Sequence, residues 1–175
     1  RCYGPYEPMR EALLTVGNGY LGTRGAMEEC DAGEPSYPGT YMAGVYNRLV
    51  SEVGGKQIEN EDLVNCPNWL PITFRVDEGQ WFDPRLHEIT VIERRLNLKN
   101  GVLERSMEVE VEGGQKFHIH SQRMASMANP HLVALRYVIT PLEGPAKLYI
   151  QSSLDGTVIN AGVKRYRDLA SRHLR

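Results

Sequence analysis

The sequence predicts an all-β fold, an antiparallel β-sandwich, and three observations carry that expectation. Beyond residue 102, apolar Leu103, Met107, Val109 and Val111 alternate with Glu104, Ser106, Glu108, Glu110 and Glu112, a period of two that puts one set on each face of a strand. An Asn100-Gly101 pair separates this stretch from the run before it, and Asn-Gly readily takes the positive φ values of a tight hairpin. The 17 glycines and 10 prolines are scattered as punctuation rather than gathered in a linker, the pattern of many short elements joined by turns.

Taken in chain order, residues 40–46 predict a strand and residues 70–76 another. Pro71 must then sit at a strand start or an edge, because it has no N–H to give a ladder. Residues 89–92 and 96–98 form the strand-like run before the Asn-Gly turn, and residues 103–111 the run after it. Gly113-Gly114 closes the next connection, and residues 117–120 alternate again. Residues 132–139 are rich in β-branched and aromatic side chains and stop at Pro141, while residues 147–152 follow a Gly-Pro loop as a further strand. Only residues 164–175 look helical, with Tyr166, Leu169, Ala170 and His173 on one face, and a helix that short is marginal alone.

The 175 residues suit a single domain on a prior of about 100–200 residues each. An apolar content of 41%, a charged content of 24% and a net charge of -2 describe an ordinary globular chain without the basic cluster that nucleic acid demands. No stretch approaches the roughly 18 uninterrupted apolar residues of a membrane span. The opening Arg1-Cys2-Tyr3-Gly4-Pro5-Tyr6 lacks the apolar run of a secretory signal, and a first residue other than methionine suggests a chain cut from something longer. Cys2, Cys30 and Cys66 are odd in number and widely spaced, which suggests neither a disulfide framework nor a zinc site. Reduced thiols in a cytoplasmic protein are the simplest reading.

The densest motif is Val16-Gly17-Asn18-Gly19-Tyr20-Leu21-Gly22-Thr23-Arg24-Gly25. So much glycine means a backbone that bends sharply or is closely approached. It is not a phosphate loop, since the Gly-Lys-Ser/Thr ending is missing. It serves either as a buried turn between sheets, with Arg24 paired to a carboxylate, or as a loop facing a ligand with Asn18, Tyr20 and Arg24 offering hydrogen bonds. Tyr46 and Asn47, and then Asn65 and Trp69, mix aromatics with amides as sugar sites do, although a buried tryptophan is more often plain core. The acidic residues show no local arrangement that predicts a raised pKa, so no catalytic carboxylate pair is assigned. His118 and His120 share a strand face but have no third ligand nearby, so no metal site is assigned.

Together these segments resemble the N-terminal domain of glycoside hydrolase family 65, which includes maltose, trehalose and kojibiose phosphorylases and some trehalases. The resemblance rests on residues 17–25, 39–47, 63–65 and 67–70, then Arg95-Leu96-Asn97-Leu98-Lys99-Asn100-Gly101-Val102-Leu103, residues 123–126, His131, Arg136-Tyr137, Ser153-Leu154-Asp155-Gly156 and Asn160. Asn97 stands where the family usually has aspartate, and Cys66 replaces a more usual apolar residue. The resemblance implies a large galactose mutarotase-like sandwich, here residues 1–175 and incomplete at its C-terminal end, followed by a catalytic barrel of helices. It places the general-acid glutamate and the phosphate in that barrel, so this chain has no catalytic residue and no cofactor beyond the phosphate co-substrate. The implied partners are the chain's own helical domain, an α-linked disaccharide and a second copy in a homodimer. A trehalase-like hydrolase, a purely structural or dimerisation module, and a free-standing carbohydrate-binding domain are the alternatives.

Overall fold

The computed structural model describes residues 4–33, 35–160 and 168–174. One helix, α1 (Glu7–Leu13), precedes eleven strands among these residues. Strands β1 (Val16–Gly17), β2 (Leu21–Thr23) and β3 (Thr40–Met42) form a three-stranded antiparallel sheet. Strands β4 (Tyr46–Val53) and β5 (Lys56–Leu63) form a hairpin of their own. Strand β6 (Ile72–Val76) pairs with β11 (Leu148–Ser152) across a long stretch of sequence. Between those two the chain runs as an antiparallel meander: β7 (Glu88–Asn97), β8 (Val102–Glu110), β9 (Lys116–Ala125) and β10 (Val133–Pro141).

The core lies between one face of the meander and the β6–β11 pair. Met107, Val109, Phe117 and Ile119 from the meander meet Phe74 from β6 and Phe82 from the loop after it. The Phe74 ring stacks on Phe82 at 5.4 Å and meets Phe117 edge-on at 5.5 Å. These geometries suit the ring quadrupoles and bury large apolar areas. The all-β antiparallel expectation holds, and Asn100-Gly101 lies in the β7–β8 turn.

Three local expectations need correction. Residues 40–46 are not one strand, because the chain turns at Ala43-Gly44, with Gly44 at φ 80°. The run over 89–92 and 96–98 is one strand, as expected, with a register shift between Ile89 and Val91. The expected C-terminal helix is absent from Asp168 to Leu174, while residues 164–167 and 175 lie outside the described residues. Polar anchors explain the irregular course: Ala170 N donates to Ser51 Oγ at 2.7 Å, and Asn47 Nδ2 to the His173 carbonyl at 3.4 Å. Finally, α1 and the β4–β5 hairpin were not expected at all.

Gly101 sits at φ 67°, where a β-branched residue is strained, and its N–H bonds the Asn97 carbonyl at 2.9 Å. Gly101→Val should destabilise the fold by about 1–3 kcal/mol in denaturant unfolding. Gly156→Ala, at a glycine with open space around it and no positive φ, should change the midpoint little.

Candidate functional site

Period two places more than apolar side chains on the inner face of the meander. Arg105 is in phase with Leu103, Met107 and Val109 on β8, and Arg123 is in phase with Phe117 and Ile119 on β9. Both arginines are only 4% exposed. Arg105 grips Glu29 with two hydrogen bonds of 2.6 Å and lies 2.7 Å from Glu28. Arg123 donates to the Ala26 carbonyl at 2.8 Å and lies 3.6 Å from Glu28. The Tyr137 hydroxyl of β10 donates to Glu29. Along the same face, Arg94 of β7 holds Glu7 of α1 with bonds of 2.5 and 3.0 Å.

Electrostatics follows from this enclosure. Burial pushes the Glu28 carboxyl up, but Arg105 and Arg123 outweigh it, so the group is held below its usual range. Burial likewise opposes the charge on Arg105, yet Glu28 and Glu29 hold its pKa well above normal. Burial and the Glu29 charge raise the Tyr137 phenol. The arginines thus favour the ionised form of Glu28, a state that suits holding the fold and not donating a proton.

The residues singled out in the sequence occupy three linked places. The Asn18 side chain is half-buried and fully used: Nδ2 donates to the Ser126 and Pro130 carbonyls at 2.7 and 3.1 Å, and Oδ1 accepts from the N–H groups of Tyr20 and Leu21. Tyr20 meets His131 edge-on at 4.4 Å. Arg24 donates to the Tyr37 and Pro8 carbonyls at 2.8 and 2.9 Å, approaches Glu11 at 3.5 Å and covers the Tyr37 ring.

Asn65, 2% exposed, accepts from the Thr40 N–H and donates to the Pro38 and Ile159 carbonyls. Strand β3 therefore brings the glycine motif and Asn65 together: Arg24 N donates to the Gly39 carbonyl, and the Thr23 and Thr40 hydroxyls lie 3.2 Å apart. Tyr46 is exposed, opposite Leu63, and Asn47 is exposed beside it. Trp69 is half-buried, and its indole N–H is enclosed without an acceptor among the described residues. On the outer face of the meander, His118 and the Ser106 hydroxyl lie 2.7 Å apart.

A cavity of about 370 Å³ opens beside Gln80, His87, Glu88, Glu110 and Glu112, away from all of these residues. The charged pairs Glu28, Glu29, Arg105 and Arg123 were missed in the sequence. The signal was available for the arginines, since a charge in phase with core positions on two neighbouring strands must face inward; Glu28 and Glu29 lie in a turn outside any strand and carried none.

This architecture defines the class: a β-sandwich domain closed by buried polar contacts, with aromatic and amide groups gathered around one small sheet. A human-microbiome protein provisionally named kojibiose phosphorylase shares the fold, with a TM-score of 0.77 at 20% identity over 87% of this chain and 20% of its own. A Mycobacterium tuberculosis protein named an uncharacterized glycosyl hydrolase is 44% identical over 168 residues, which is 96% of this chain and 13% of that protein. The kojibiose phosphorylase of Caldanaerobacter subterraneus is 34% identical over 158 residues, 90% of this chain and 19% of that protein. Residues 5–175 match the N-terminal domain of glycosyl hydrolase family 65, and the chain belongs to that family. It spans about a fifth or less of the length of these relatives.

Arg105→Met should cost about 3–5 kcal/mol in equilibrium unfolding, because it leaves two carboxylates buried without their partner. The depressed Glu28 pKa sets a pH dependence of definite sign. Its contribution is complete above the ordinary carboxylate value and is lost as the pH falls through the lowered one. Glu28→Gln should therefore flatten the acid limb of a stability–pH curve while lowering stability at neutral pH.

Proposed function

We propose that this chain is the non-catalytic N-terminal domain of an inverting phosphorylase that acts on α-glucosidic disaccharides. The observation that carries the reading is the state of its buried carboxylates. Glu7, Glu28 and Glu29 are committed to arginines, and Glu11 to Ser36, the Tyr37 N–H and Arg24, so none stands ready as a general acid. Kinship supports the phosphorylase part, since relatives are named kojibiose, maltose and trehalose phosphorylases.

In this reading the acid and the phosphate belong to a helical catalytic domain. There phosphate attacks the anomeric carbon while a glutamate protonates the leaving oxygen, with inversion. No cofactor is needed, and the parent enzyme works as a cytoplasmic homodimer. The exposed Tyr46-Asn47 pair and half-buried Tyr20, Arg24 and Trp69 contribute to the seam with the helical domain, whereas Asn18 and Asn65 hold the seam in shape.

The isolated chain should release neither glucose nor glucose 1-phosphate from maltose, trehalose or kojibiose, with or without phosphate. Turnover that disappears on replacing one acidic residue of this chain would overturn the proposal. In the full-length enzyme, a strict requirement for phosphate separates phosphorolysis from hydrolysis. Arg24→Ala should lower the melting temperature there and leave the KM of the folded fraction unchanged.

A further inference from the structure

The outer face of β6–β11 carries a strip of alternating cations and rings that the core does not use. Arg75 and Tyr149 are register partners, with the guanidinium carbon 4.9 Å from the Tyr149 ring centre and 5.3 Å from that of Trp81. Lys147 lies 5.0 Å from the Tyr149 ring on the next position outward. The loop that bears Trp81 is pinned to β6: Phe82 N donates to the Phe74 carbonyl at 2.7 Å and the Thr73 hydroxyl to the Phe82 carbonyl at 2.8 Å. Trp81 is nevertheless 38% exposed. A tryptophan fixed in place, packed on a cation and left open to water is ready for a ligand that has an apolar face.

The geometry points to a carbohydrate-binding surface here, taking a neutral glucosyl oligosaccharide. The C–H face of a pyranose stacks on the free side of the indole, as aromatic platforms with polar edges allow. Gln151, exposed on the same face opposite Thr73, and Glu78, exposed beside Arg75 at 3.2 Å, supply amide and carboxylate partners for the hydroxyls. Arg75 sits between the two rings and fixes their spacing, so little side-chain freedom is lost on binding. Asp77 and Glu78 balance the charges of Arg75 and Lys147, Glu78 being paired with Arg75 itself, so the strip carries no net charge and suits a neutral sugar. The choice of α-linked glucose as the unit rests on the disaccharide reading above; the stacking surface does not.

The test is a titration of the ¹⁵N-labelled chain with maltotetraose, and separately with cellotetraose. Saturable amide shifts centred on residues 73–81 and 147–151 are expected, with at least tenfold weaker binding for Trp81→Ala and unchanged binding for Trp69→Phe. No saturable shift, shifts centred elsewhere, or wild-type affinity in Trp81→Ala overturns the site. If Trp81→Ala does not fold, the wild-type shift map and Gln151→Ala decide. Preference for cellotetraose overturns the α-glucosyl assignment. A parent enzyme that proves not to use phosphate leaves this binding result untouched, so the two readings fail separately.

Discussion

The bidentate pair between Arg105 and Glu29, with Glu28 bridging to Arg123, is the constraint on which the N-terminal half depends. Met27, Glu28, Glu29 and Cys30 lie over the inner face of the meander, where an ordinary sandwich would place apolar side chains. Two charges taken out of water cost several kcal/mol each unless geometry and hydrogen bonds offset it. At Glu29 they do, since it receives two guanidinium bonds and a phenol. Arg123 bonds a backbone carbonyl, but its Nε and Glu28 Oε2 are enclosed without a hydrogen bond among the described residues, and Glu28 is held chiefly by the arginine charges. What such a network supplies over an apolar equivalent is register. A methionine or leucine could slide along the sheet, whereas a carboxylate must meet its arginine. We regard that specificity as the reason the inner face turns from apolar at Val109 and Phe117 to charged at Arg105 and Arg123.

Once that segment is held, the glycines of the motif become packing requirements. A β-carbon on Gly25 would come within 2.6 Å of the Leu14 side chain, and one on Gly17 within 2.9 Å of the Leu21 carbonyl oxygen. Gly39 lies equally close to Arg24 and Tyr41. The backbone between α1 and β3 is thus folded on itself more tightly than a side chain permits, while Asn18 ties its tip to the loop between β9 and β10. A motif that reads as a ligand loop because of its glycines is, over these positions, a compact knot of main chain. Arg24 belongs to that knot, with its guanidinium spent on two carbonyls.

The meander was legible because its apolar and polar faces differ in character, so that Leu103, Met107 and Val109 declare one face and the glutamates the other. What escaped was built from polar contacts. The buried positions of α1 are Glu7 and Glu11, four apart on one helix face, and no apolar stripe exists to reveal it. The β4–β5 hairpin has exposed residues on both faces and buries only Ser51 fully, so its alternation is invisible, although Gly54-Gly55, both at positive φ, was a turn signal in plain view. The break at Gly44 was hidden by the β-forming residues on either side of it. Of the singled-out residues, sequence chemistry found amides that matter but could not tell whether Asn18 and Asn65 face a ligand or the backbone, since one hydrogen-bonding capacity serves both.

Asn65 shows why the second half of the chain shares this dependence. It binds β3 through the Thr40 N–H, the preceding loop through the Pro38 carbonyl, and the distant segment through the Ile159 carbonyl, while its own N–H is held by Asn160. Asn160 in turn donates to the Leu63 carbonyl, and Asn68 bridges Asp155 through the backbone in both directions. Regions near the two ends of the chain are therefore fastened to the same three short strands, which have too few residues to be stable as a sheet by themselves. An amide can serve here where a hydrophobic residue could not, because three unrelated backbone segments must have their polar groups satisfied at one point. That arrangement fastens the base of the β1–β2–β3 sheet through side-chain amides, while Tyr46 and Asn47, just beyond it at the start of β4, stay exposed.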